Sequence, residues 1–332
     1  MNIYADLSCE YRGEVFDLKH SGCLSVVDES GKVIYSLGSP DNIVCYRSSS
    51  KPVQALPVIA RDLDKKYGIS EEESAIFSGS HAAEKFHVDA LESIAKKAGL
   101  KEEDMIMLPT WPANEAHKLE IIRAGGDKRK FYHNCSGKHL ASMLLQRELG
   151  GEVRDYWKEG SLAQNEIKRV ICLMSETEDA KVSIDGCGVP VFSVPLWGIA
   201  RAYKNLACID TIRDEKIRKA AKRYVPVLHK YPLMMRGTGF LCSLMNYDEN
   251  IIAKGGANGV YGFGLKKQRL GISFKVADGT ENAWPIVILQ VLKDLGALKK
   301  EHEERLMSLR PYDIFNDNNT LVGVRKSCFS LK

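Results

Sequence analysis

The order of hydrophobic periods predicts an α/β (α+β) protein with strands at both ends and helices between them. A sheet lobe, approximately 1–60 plus 250–332, would carry an inserted helical lobe, approximately 61–249, in one unit spanning 1–332. Three observations predict this. Short, alternating β-branched runs fill the first ~46 residues. The period becomes helical at Pro52 and stays so through the middle. Strand patterns then return after residue 250 and again in the tail. Strands some 200 residues apart can share one sheet, and a cleft between two such lobes is where ligand sites tend to form.

The elements follow in order. CLSVV, KVIYSL and IVCY read as strands, with a tight turn at DESGK between the first two. From Pro52 the run VQALPVIARDLDKKYG has a helical stripe that stops at Gly68. Ser70 and Glu73 make a capping box for EEESAIF. Helices are predicted over 84–98, 115–124, 137–149, 161–175, 196–206, 212–228 and 239–246, with an extended piece at 181–186. NIIAKGG, GVYGFGL and LGISFKVADG form a glycine-rich hairpin region. A long helix follows Thr280, its predicted N-cap, and TLVGVRKSCFS reads as a last strand.

The totals exclude several classes. The 332 residues are 44% hydrophobic and 27% charged, a soluble globular composition able to bury a sizeable core. A net charge of +4, without Lys/Arg runs interleaved with aromatics, predicts no nucleic-acid partner. No window approaches 18 uncharged apolar residues, so no membrane span is predicted. MNIYADLSCEYRGEVFD has early charge and no apolar core, which predicts no signal peptide. The nine scattered cysteines then read as reduced thiols of a cytoplasmic protein.

Five stretches carry chemistry. In RSSSKPVQALP, Ser48 and Lys51 are three apart, and a lysine of lowered pKa can activate a serine. Pro52 disfavours the α conformation at Lys51, which would place that lysine at the helix mouth. A plain serine-rich helix start is the alternative. FSGSHAAEKFH offers Ser80 as a second hydroxyl; His81, Glu84 and His87 recur every three residues, as capped-helix polar residues or a metal set. HNCSGKH packs His133, Cys135, Lys138 and His139 before an apolar helix, whose N-terminus suits an anion or a thiolate. SIDGCGVPVFSVPL sets Asp185 and Cys187 between extended segments; if Cys187 met Cys135, the pair could bind zinc or another soft ion. In KGGANGVYGFG…LGISFKVADG, Gly255 and Gly256 permit close backbone approach to a ligand. Lys275 reads as an inward base or a solvated edge residue.

Together these stretches resemble the rhizobial-type (thermolabile, class 3) L-asparaginases. The matching residues are Arg47-Ser48-x-x-Lys51-Pro52-x-Gln54, Ser80-His81-x-x-Glu84 and His133-Asn134-Cys135-Ser136-Gly137-Lys138-His139. They continue in Asp185-Gly186-Cys187-x-Val189-Pro190, Lys254-Gly255-Gly256-Ala257-x-Gly259-Val260-Tyr261 and Gly271-Ile272-x-x-Lys275. They keep the family's order over about two-thirds of the chain, and HNCSGKH is the most specific piece. The resemblance implies a fold similar to serine β-lactamases and glutaminases, with a largely antiparallel sheet flanked by helices. It implies two serine–lysine tandems, Ser48 with Lys51 and Ser80 with Lys275, and one Zn2+ on Cys135, Lys138 and Cys187 that modulates substrate binding. The residues alone suggest His133 or His139 as ligands; the resemblance makes neither one. It also implies a homodimer, a small-molecule substrate and a substrate-binding set of Arg47, His139, Asp185, Gly255 and Gly256. Two positions depart from the family pattern: Asn258 replaces a carboxylate, and LPTWP lacks a Cys-Gly pair.

The expected reaction is hydrolysis of L-asparagine through a serine acyl-enzyme, with Ser48 as nucleophile and Lys51 as base. A glutaminase differs by one methylene, while a β-lactamase is disfavoured by the absence of S-D-N and K-T-G. A non-catalytic zinc or ligand-binding regulator predicts loss of the serines or lysines, all of which are present. A structural zinc protein predicts four closed ligands, and only three can be named.

Overall fold

The structure, a computed structural model, describes residues 3–331; Met1 and Asn2, which begin the N-terminal stretch, and Lys332 lie outside the described residues. Among the described residues there are eleven strands: β1 Ala5–Arg12, β2 Val15–Val27, β3 Val33–Leu37, β4 Ile43–Cys45, β5 Lys181–Ile184, β6 Pro190–Pro195, β7 Ile251–Gly256, β8 Val260–Leu265, β9 Leu270–Val276, β10 Asp313–Phe315 and β11 Leu321–Ser327. Eight of them form one sheet in the order β10-β11-β1-β2-β9-β8-β7, with β3 also on β2. All its pairs are antiparallel. The long β2 is its hinge. Its first half pairs with β1, and its second half lies between β3 and β9, with Cys23 opposite Lys275. The two ends of the chain therefore meet in one sheet. The 181–186 piece is extended as predicted, but β5 joins β4 and β6 in a separate three-stranded sheet.

The predicted helices form close to their expected limits, as at Lys85–Ala98, Ser136–Glu148, Leu162–Ser175 and Leu196–Ala207. The Ser70–Glu73 capping box is present. Three details differ. The run after Pro52 breaks into helices Lys51–Ile59 and Leu63–Lys66, because Asp62 adopts a left-handed conformation (φ 51°). Thr280 is not an N-cap: its hydroxyl accepts from the Asn282 N–H, and the helix begins only at Trp284. A helix at Lys300–Leu309 was not expected. Among the described residues, no helix is long and apolar enough to cross a membrane.

The core lies between the sheet and the helices. Helix Leu196–Ala207 sits against β8 and β9 at very short range, and glycines make room for it. A Cβ at Gly271 would lie 2.0 Å from the Ala200 carbonyl oxygen, and one at Gly262 2.2 Å from the Tyr203 ring. Tyr203 in turn donates from its hydroxyl to the Ser49 carbonyl at 2.7 Å, which ties this helix to the turn that carries Ser48. Gly271→Ala should therefore lower stability by roughly 1–3 kcal/mol or more, because the obstructing atoms are backbone. A thermal unfolding midpoint equal to wild type would refute that packing.

The buried His87 and the half-buried His229 tie the fold to pH. Burial pulls His87 and His229 down to about 4. His87 accepts the Glu84 N–H at Nδ1 and donates from Nε2 to the Leu233 carbonyl, an arrangement that suits the neutral ring. The unfolded chain takes up a proton near 6.5 and the folded one only near 4. This contribution is thus intact above pH 6.5 and is lost as the pH falls towards 4. By pH 5 the loss is on the order of 2 kcal/mol for each ring. Urea midpoints should fall between pH 7 and 5, and a flat profile over that range would contradict the burial of these rings.

Candidate active site

The Arg47–Ser50 turn runs directly into helix Lys51–Ile59, whose residues are all buried. Pro52 lies in the first helical turn, where an N–H is not needed, and Lys51 is the first residue of that helix; its backbone is nonetheless α-helical (φ -57°, ψ -39°), the conformation Pro52 disfavours. Arg47 has φ of 50°, an unfavourable conformation for a residue with a Cβ, immediately before Ser48. The three serines separate by their partners. Ser49 donates to the Tyr46 carbonyl at 2.6 Å and Ser50 to the Arg47 carbonyl at 2.8 Å. The Ser48 hydroxyl has no hydrogen-bond partner among the described residues, and it lines a cavity of about 100 Å³.

Ser80 lines the same cavity, as do Asn134 and, from β7 and its following turn, Lys254, Gly255, Gly256 and Ala257. β7 approaches the serine turn so closely that a Cβ at Gly256 would lie 2.7 Å from the Tyr46 carbonyl oxygen. The expectation for these two glycines thus has a geometric counterpart: they border the cavity.

Lys51 is completely buried. Its Nζ lies 2.7 Å from the Gly79 carbonyl, 3.2 Å from the Asn134 carbonyl and 3.0 Å from Ser80 Oγ. Burial lowers its pKa, with Lys138 acting in the same direction. A neutral amine has two hydrogens and one lone pair. Two carbonyls and one hydroxyl can serve that inventory, and equally the three hydrogens of an ammonium, with Nζ donating to Ser80 Oγ. Lys254 is also buried, its pKa lowered to about 8 by desolvation; Nζ donates to the Gly255 carbonyl at 2.7 Å and lies 3.9 Å from Cys242 Sγ.

Lys275 does not occupy the place expected of it. From β9 it donates to the carbonyls of Asn258 and Val276, at the end of its own strand and in the β7–β8 turn, and it does not line the cavity. The structure therefore brings Ser80 to Lys51, and the second cavity lysine is Lys254. Sequence reasoning quoted Lys254 in the KGG motif but gave it no role. It also missed Arg236, Cys242, Glu281 and Trp284, which complete the wall. Of these only the KGG motif carries a local signal.

A second cluster lies behind Lys51. Cys135 and Cys187 are buried and meet, and Lys138 Nζ lies 3.2 Å from Cys187 Sγ. A hydrogen bond from Cys187, aided by Lys51 and Lys138, holds the Cys135 thiol well below its ordinary range although burial opposes this. Against burial, Cys187, Cys135 and Asp185 raise Lys138. Asp185 lies 3.8 Å from Lys138 and accepts from Arg47 Nε at 2.7 Å. Among the described residues no three His, Cys, Asp or Glu side chains group as a metal set. Two sulfurs and an amine in mutual contact, one sulfur already inclined to ionise, are nonetheless a donor set that fits zinc, provided the amine gives up its proton.

The histidines take other parts. His139 is buried, with Nδ1 2.6 Å from the Tyr156 hydroxyl. That hydroxyl already accepts the Ile106 N–H, so its own hydrogen points to His139 Nδ1. This leaves the proton on Nε2, which has no partner among the described residues. His133 Nδ1 accepts the Cys135 N–H. His81 bonds Ser136, Glu84 bonds Thr238 and His87 bonds Leu233, so the three-spaced set serves structure.

A family model described as L-asparaginase II matches residues 9–326. No curated protein matches the sequence. Among solved structures the chain is similar to Mglu, at 13% identity and a TM-score of 0.42 over 78% of this chain and 57% of that one. It thus spans little more than half the length of that protein. It is also similar to a protein from Bacteroides dorei provisionally described as a β-lactamase, at 15% identity and TM-score 0.48 over 83% and 93% of the two chains. A β-lactamase from Mycobacterium bovis gives 13% and 0.43 over 82% and 94%. Nothing about this chain's chemistry follows from these distant likenesses.

Proposed function

Because the chain belongs to the L-asparaginase II family, we propose that it hydrolyses the side-chain amide of L-asparagine to L-aspartate and ammonia through a serine acyl-enzyme. The observation that carries this reading is the convergence of two serine hydroxyls and a desolvated lysine on one small cavity, with the buried Lys51 amine beside Ser80. Ser48, whose hydroxyl is uncommitted, attacks the amide carbon. Its proton passes by way of the Ser80 hydroxyl to the Lys51 amine, and the developing oxyanion takes N–H groups from the start of the helical turn, which have no intrahelical acceptor. The proton returns to the leaving nitrogen and ammonia departs. Lys254, in the role expected of Lys275, takes a proton from water, which attacks the ester; aspartate leaves and Ser48 regains its hydrogen.

Cys135, Lys138 and Cys187 would hold zinc. When bound, it supplies positive charge behind the cavity and fixes the cluster that backs Lys51.

Ser48→Ala should lower kcat on L-asparagine by at least ~10³-fold, and mass spectrometry of quenched wild type should find the acyl adduct on the peptide containing Ser48. An adduct on Ser80 would reverse the two serines, and rapid turnover by Ser48→Ala would end the acyl-enzyme reading at this residue. Lys254 works as a base only when neutral. Activity should therefore rise with pH through about 8, and Lys254→Met should remove that limb. A wild-type profile level from pH 7 to 9 would take Lys254 out of the proton path. Elemental analysis of purified protein should find zinc that is lost in Cys135→Ser and in Cys187→Ser; retention in both would exclude these ligands.

A further inference from the structure

We propose that Arg236 and Glu281 form a recognition pair for the α-carboxylate and α-ammonium of a free L-amino acid, so that the site excludes amides whose α-groups are blocked or missing. This rests on the reading that the cavity is where the amide is bound.

Both residues line the cavity with Ser48, Ser80 and Lys254, and they carry opposite charge. Neither has an oppositely charged partner among the described residues, whereas Arg47, one of the residues of the expected substrate-binding set, is committed to Asp185 at 2.7 Å. The Arg236 fork is preset. Nη1 donates to the Ser80 carbonyl at 2.8 Å, and the guanidinium lies 5.1 Å from the centre of the Phe240 ring. Those contacts orient the planar group and leave donors for a carboxylate. They also link the carboxylate site to the hydroxyl that meets Lys51.

Glu281 stands at the exposed rim, just before helix Trp284–Asp294. Its carbonyl accepts the Trp284 N–H at 3.1 Å, and the Trp284 ring closes on the cavity floor, where a Cβ at Gly255 would lie 2.7 Å from it. Rim and floor are thus held as one piece. Arg236 and Glu281 supply a guanidinium and a carboxylate to the same wall. An α-amino acid presents one anion and one cation on a single carbon, which matches this pair and no peptide-linked residue does.

The test compares three amides: L-asparagine, succinamic acid, which lacks the α-amino group, and L-asparagine amide, which lacks the free carboxylate. Wild type should prefer L-asparagine over each of the others by at least ~10²-fold in kcat/KM. Glu281→Gln should raise KM for L-asparagine ~10–100-fold with little change in kcat, and leave succinamic acid unaffected. Arg236→Met should do the same for L-asparagine against its amide. Equal losses on both members of a comparison, or none, would overturn the pair. Glu281 is exposed, so its variant keeps the test sound if Arg236→Met fails to fold. Calorimetric titration with L-aspartate and with succinate provides the readout that does not need turnover. Aspartate binding that depends on Glu281, with all three amides inert, would sustain the pair and refute amide hydrolysis. Absence of aspartate binding together with absence of turnover would overturn both.

Discussion

The desolvated amine of Lys51 is the constraint on which the site depends. An ammonium is costly to bury; this one contacts two carbonyls and a hydroxyl, and the Cys135 sulfur beside it opposes the effect of burial. Burial lowers its pKa towards the neutral form, and that form alone can take a proton. The contacts join three motifs: Lys51 comes from the serine turn, Gly79 and Ser80 from the loop after a short helix, and Asn134 from the segment before Cys135. Displacing any of these would change the basicity of the amine as well as its position. That is why motifs scattered over the chain must arrive together, and why the first helical turn is buried throughout.

The thiol cluster and the cavity share this lysine. Cys135 is next to Asn134, whose carbonyl accepts from Lys51, and Arg47 reaches from the turn of Ser48 to Asp185 at 2.7 Å. Asp185 sits 3.8 Å from Lys138. The strained φ of Arg47 is thus held by a charged hydrogen bond to the cluster. A change of charge among Cys135, Lys138 and Cys187 is felt at Ser48 by two routes, one through the Lys51 amine and one through the Arg47 side chain. This gives a bound metal a way to influence the cavity without touching the reacting atoms.

Periodicity made most of the helices legible to within a few residues, best where an amphipathic stripe is bounded by a cap or a glycine. Ser70 with Glu73 is such a case, and Gly99, in the left-handed conformation after Ala98, is another. The site was legible where its residues lie in dense motifs: Ser48, Lys51, Ser80 and the Cys135–Lys138 stretch. It was not legible where pairing across the sheet decides. Lys254 and Lys275 both lie on strands near glycines, and the sequence alone does not say which one faces the cavity. The register does: β7 is the sheet edge beside the serine turn, while β9 lies two strands inward, with β8 on one side and β2 on the other. Arg236 and Glu281 were hidden for another reason. Each is a single charge in an unremarkable loop, and only the fold brings them to one wall.

The departures from the family pattern are explained by turn chemistry. Asn258 and Gly259 have φ of 62° and 77° in the tight connection from β7 to β8. Asparagine tolerates the left-handed region better than most side chains, and Asn-Gly is a strong hairpin signal. Its side chain does not line the cavity, and its carbonyl serves Lys275. In the LPTWP stretch, Thr110 is bridged to Arg129, again away from the cavity wall. Asn258 in place of a carboxylate therefore removes no charge from the cavity wall. Instead it stabilises the turn that sets Gly255 and Gly256 against the serine turn, at a separation where not even a Cβ would fit. Substrate preference must then be sought in the wall formed by Arg236, Glu281 and Trp284, all of them residues that the family motifs leave out.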